Sequence, residues 1–123
     1  MLARWLSIID GTLRKMNIPL TELQQFFGAY FNQDWTIEHS SADEAIYSFL
    51  LDSKRDTILT VKKEIRDLIN NYKDEPTFQN NLMHAQHCYF YYPSQWASGL
   101  SWLNHIIVKF DNYLVKPPTN GAS

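Results

Sequence analysis

Apolar residues recur at intervals of three and four along most of this chain, the spacing of helices that bury one face. The most regular run is Ile58, Val61, Ile65, Leu68, Ile69 and Tyr72, with basic residues on the remaining faces, and it predicts a helix over about Asp56–Tyr72. Leu100, Leu103, Ile106, Ile107, Phe110 and Leu114 predict a second long helix near Ser98–Val115. Leu23, Phe26, Phe27, Tyr30 and Phe31 predict a third over about Leu20–Phe31, with Thr21 as its N-cap.

Start and stop signals place the others. Ser41 followed by Glu44 reads as a capping box, with Asp43 adding charge to the first turn, ahead of a buried stripe of Ala45, Ile46, Phe49 and Leu50. Pro76 suits a first helical position and precedes Phe78, Leu82, Met83 and Ala85. Leu2, Trp5, Leu6, Ile9 and Leu13 predict a helix over Leu2–Met16, interrupted by Gly11 and ended by Asn17 and Pro19. Asn32–Ser40 reads as a loop, and the aromatic run Tyr89–Pro93 as an extended segment, since the residue before proline avoids helix. With no strand pair and no internal repeat, the pattern predicts an all-α bundle of about five to seven helices, one domain over 1–116 with a tail at 117–123.

Composition fits that picture. The 123 residues are 45% apolar and 15% aromatic, with 7 Tyr, 7 Phe and 4 Trp. This suits one packed core and is too short for two. A single cysteine, Cys88, excludes a disulfide framework and favours a reducing compartment. No run approaches the ~18 apolar residues of a membrane span, and Met1–Met16 lacks the layout of a secretion signal. The expectation is a cytoplasmic protein.

The net charge of -2 conceals an uneven distribution. Between Met16 and Ser53 stand six acids, Glu22, Asp34, Glu38, Asp43, Glu44 and Asp52, and no Lys or Arg. Lys54–Lys73 carries six bases against three acids. The first stretch should repel nucleic acid and attract basic partners.

Little in the chain suggests catalysis: there is no Gly-rich phosphate loop, paired-acid signature or nucleophile elbow. His105 and Asp111 are six apart, so on a helix they point in different directions. His84, His87 and Cys88 are spaced to share a helix face, but without a fourth ligand they read as packing residues. No metal, cofactor or enzymatic activity is expected.

The stretch LQQFFGAYFNQDW, followed by SADEAIYSFL, resembles the helical immunity proteins of bacterial contact-dependent growth inhibition systems. The matching positions are Gly28, Tyr30, Asp34, Trp35, Ala42, Asp43, Glu44, Phe49 and Leu50. A second block, YFYYPSQWASGLSWLNHI, is similar to the family's Tyr-Tyr-x-Pro segment followed by Gly and Trp-Leu, through Tyr91, Tyr92, Gly99, Trp102 and Leu103. It departs in lacking an acid before the proline. The resemblance spans about Leu20–Phe110 and leaves Leu2–Met16 outside.

The resemblance implies an inhibitor whose partner is the C-terminal toxin domain of a cognate secreted effector, with a nuclease expected and an RNase ahead of other kinds. Gly28, Tyr30, Trp35, Phe49, Tyr91, Tyr92, Gly99 and Trp102 are expected to be structural. Asp34, Glu38, Asp43, Glu44 and Asp52 are the candidate toxin-binding residues, because carboxylates can stand where a nuclease cleft holds phosphates. No contact with nucleic acid or membrane is expected. The alternative is a small regulatory or adaptor domain that binds nucleic acid or another protein through the basic helix at Lys54–Lys73.

Overall fold

In the computed structural model, which describes residues 19–115, the first helix begins where the chain supplies its cap. Thr21 Oγ1 accepts from the Gln24 amide and Gln24 Oε1 accepts from the Thr21 amide, each at 3.0 Å, so α1 runs Glu22–Tyr30 from a reciprocal box. Glu64, from a helix distant in sequence, takes another free N–H, that of Leu23, at 2.7 Å. The expected helix at Leu2–Met16 and the tail at 117–123 lie outside the described residues.

Asn32–Ser40 is not wholly a loop. One helical turn, α2 (Trp35–Glu38), forms there because Asn32 Oδ1 accepts from the Asp34 amide at 2.9 Å and Trp35 seats its ring against Phe31 and Phe90. A single turn is too short to show periodicity. In α3 (Ala42–Asp52), Ser41 Oγ accepts from the Glu44 amide at 3.1 Å, as expected of a box. The returning Glu44 carboxylate, however, accepts from Ser40 N–H rather than Ser41 N–H.

The basic stretch forms α4 (Arg55–Asn70), burying Ile58, Val61 and Ile65. Next, α5 (Glu75–His84) starts a residue ahead of Pro76, because Asp74 is its N-cap, accepting from the Thr77 amide at 2.8 Å. The aromatic segment is irregular as far as Tyr91, then closes in a 3₁₀ turn at Tyr92–Ser94 that suits the fixed φ of Pro93. The last helix, α6 (Gly99–Val115), has a box built from two serines: Ser98 Oγ accepts from the Ser101 amide and Ser101 Oγ from the Ser98 amide, both at 3.1 Å.

The fold is all-α, as the periodicity predicts: α1, α3, α6 and α4 form a ring in which each packs against the next, and α5 with the 3₁₀ turn lies against α6. The core is aromatic. Phe26 of α1 contacts Phe49 of α3 at 4.4 Å between ring centroids and Phe110 of α6 at 5.9 Å. Trp102, fully buried, has around it Phe27, Phe31, Phe90 and Tyr92 at 4.8–6.2 Å. Each such pair contributes roughly 0.5–1.5 kcal/mol beyond the area it buries.

One carboxylate ties the two parts together. Glu75 accepts from the Tyr72 hydroxyl at 2.5 Å, from the Tyr92 hydroxyl, and from the Gly99 amide at 2.8 Å, joining the end of α4, the 3₁₀ turn and the start of α6. Burial pushes its pKa up, but the donors from Tyr72, Tyr92 and Gly99 outweigh this and hold it below its ordinary value. The same bonding raises Tyr72 to about 12.

A depressed carboxyl contributes stability that is present above its unfolded pKa near 4.5 and is lost as pH falls through the folded value. A raised phenol contributes below its unfolded pKa near 10.0 and loses that contribution at higher pH. E75Q should therefore lower stability at neutral pH by about 1–3 kcal/mol and flatten both limbs of the stability-versus-pH curve, read by denaturant titration. At Gly99 an added Cβ would lie 2.0 Å from Phe78 Cε2, so G99A should cost about 1–3 kcal/mol and lower Tm, measured by thermal melting.

Candidate interaction surface

The ring of helices distributes the acids of Met16–Ser53 and gives several of them partners within the chain. Asp43 Oδ1 lies 2.7 Å from His105 Nε2 and Asp43 Oδ2 3.5 Å from Lys109 Nζ, both on α6. Asp52 Oδ2 accepts from the Tyr30 hydroxyl at 3.0 Å. Burial, then that bond, raises the Tyr30 pKa to about 12. Glu44 accepts from Ser40 N–H, and that bond lowers its pKa below the ordinary carboxylate value. Asp34 occupies the N-cap position of α2 without a side-chain cap bond, and Glu38 closes the same turn on an exposed face. The acidic stretch is thus anchored in part by contacts that sequence order could not disclose; Glu38, Asp43, Glu44 and Asp52 remain on the surface.

Apolar side chains stand among these acids. Ile37 is 82% exposed, Tyr47 52% and Leu51 58%. Tyr47 and Leu51 follow Asp43 at intervals of four, forming one outward stripe of α3. Beside it a groove runs between α3 and the C-terminal half of α6, with Ile46 and Leu50 at its base and Asp43, Glu44, Tyr47, Lys109 and Tyr113 among its walls. The sequence signal for Tyr47 is its place off the buried stripe of its own helix, where a large aromatic gains no burial.

The basic helix spends part of its charge on the fold. Lys62 pairs with Asp111 at 2.5 Å, Lys63 faces Asp67 along the helix, and the Arg55 guanidinium donates to the Leu114 carbonyl near the end of α6. His84, His87 and Cys88 do not share a helix face: α5 ends at His84, His87 has a φ of 63°, and Cys88 is buried. Among the described residues no three His, Cys, Asp or Glu side chains gather as a metal site.

Of the residues expected to be structural, Gly28, Phe49, Tyr92, Gly99 and Trp102 are buried, and Tyr30 and Trp35 pack partly buried against the core. Tyr91 differs. Its side chain is 58% exposed, because only its backbone carbonyl, accepting from Ser94, is used by the turn. No described helix is long and apolar enough to cross a membrane.

An all-helical domain with an aromatic interior and an acidic, aromatic-bearing outer face is a scaffold for binding. The chain belongs to the CdiI immunity protein family, whose model matches residues 19–110. It is also similar to a chain of the crystal structure of a CdiA-CT/CdiI complex from Y. kristensenii 33638, at 29% identity and a TM-score of 0.70, over 73% of this chain and 91% of that one. No curated protein matches it.

Proposed function

We propose that this chain is an immunity protein that binds the C-terminal toxin domain of a cognate contact-dependent growth inhibition effector and blocks it without catalysis of its own. The observation that carries this reading is the family match over residues 19–110, supported by the likeness to a chain from a CdiA-CT/CdiI complex. The working unit is one helical domain over 1–116 that acts in the cytoplasm of the cell under attack. The toxin is a nuclease, with RNA the favoured substrate, and the acidic surface supports a partner with a basic, phosphate-holding cleft.

A nuclease cleft is basic because it holds phosphates, and a blocking protein gains affinity and speed of encounter by presenting carboxylates to it. Glu38, Asp43 and Glu44 form the centre of the toxin-facing surface, with Asp34 and Asp52 at its margins. The other reading, nucleic-acid binding through Lys54–Lys73, is disfavoured because Asp56, Glu64 and Asp67 stand among the bases of that stretch and Lys62 is held by Asp111.

Cells expressing the chain should survive challenge by the cognate effector that kills cells without it, and equal killing would end the proposal. With the purified toxin domain, reversing Glu38, Asp43 and Glu44 to Lys should slow association about 10-fold or more and remove most of its salt dependence in stopped-flow traces.

A further inference from the structure

We infer that the groove between α3 and α6 receives an arginine side chain of the toxin domain and is a main determinant of which toxin the protein accepts. This rests on the immunity reading and adds to it the chemistry of one anchor. The groove combines two features that an acidic surface alone does not provide. Its base is apolar, with Ile46 and Leu50 buried, and its wall carries Tyr47, half exposed and unused by the core. At one end stand the carboxylates of Asp43 and Glu44.

A side chain that fits such a slot has an aliphatic stem and a flat cationic head. The stem covers the apolar base, while the guanidinium stacks on a phenol ring and meets a carboxylate through a fork of donors. Lysine matches less well, since its compact, strongly hydrated ammonium neither stacks nor forks. Glu44 has an acceptor to offer, because Ser40 N–H engages only its Oε1. Asp43 is already shared between His105 and Lys109, the latter at 3.5 Å on a half-exposed side chain, so that contact is weak and gives way readily. Among the exposed apolar side chains of the described residues only Tyr47 both lines this groove and belongs to the residue types that dominate interface energetics.

The test uses residues 1–123 and the purified toxin domain of the cognate effector. Dissociation constants are measured for the native protein, Y47A, E44Q and Y91A, the last an exposed aromatic outside the groove. E44Q keeps an amide oxygen for Ser40 N–H, and Tyr47 is exposed, so both variants should melt within about 2 °C of the native protein. Binding should weaken about 30-fold in Y47A and about 10-fold in E44Q, with Y91A within threefold. Replacing the toxin domain's surface arginines by alanine one at a time should reveal one whose loss is not additive with Y47A. Native binding with Y47A and E44Q both within threefold of it overturns the groove and leaves the immunity reading standing. Weakened binding with no coupled arginine overturns the arginine. Absence of binding by the native protein removes the immunity reading and this inference together.

Discussion

The structure depends on surrounding one indole with other rings. Trp102 sits at the inner face of α6 with no solvent exposure, and the rings that enclose it come from two places far apart in the chain: Phe27 and Phe31 at the end of α1, and Phe90 and Tyr92 after α5. Among the described residues its Nε1 meets no acceptor, a cost of about 1–3 kcal/mol that the burial of the ring has to exceed. Stacking at 10° on Tyr92 and tilted contact at 4.8 Å with Phe90 make the strap after α5 a wall of the core. This is why a segment without regular structure is held in place.

From that wall the polar contacts acquire their positions. Tyr92, fixed by Trp102, aims its hydroxyl at Glu75, and Glu75 in turn caps the first amide of α6, so the helix carrying Trp102 starts where its own neighbour dictates. Gly99 is needed at that start because Phe78 occupies the space a Cβ would take. Tyr89 N–H donates to the Phe31 carbonyl at 2.8 Å, closing the end of α1 with the same strap. Each of these bonds is modest alone, and they act together because the aromatic core leaves the participating backbone little freedom.

The surface proposed to face the toxin lies where α3 and α6 meet. The core fixes one face of each helix, leaving their outer faces to carry charge. Asp43 bridges the two helices through His105, beside the groove that Tyr47 and Tyr113 line. A rigid surface of this kind suits an inhibitor, since binding then costs little ordering and side-chain placement can discriminate between related partners.

What the sequence by itself determined was whatever repeats locally. The three-and-four spacing in α1, α3, α4 and α6, the Thr21 and Ser41 caps and the acidic composition of Met16–Ser53 are one-dimensional facts, and they led to an all-α fold with an affinity for basic partners; the inhibitor role was what the family resemblance implied. Asp74 before Pro76, and Tyr47 off the buried stripe of its helix, carried local signals that the reading of the sequence did not take up. Only the tertiary structure decided that Glu64 would cap α1, that Asp52 would meet Tyr30 and Asp43 would meet His105, that one turn of helix would form at Trp35–Glu38, and that His84, His87 and Cys88 would part. Those outcomes join residues up to 62 positions apart or depend on where a single ring is seated. No period or spacing encodes them, because the partner of a side chain at long range is set by how helices pack and not by its neighbours in the chain.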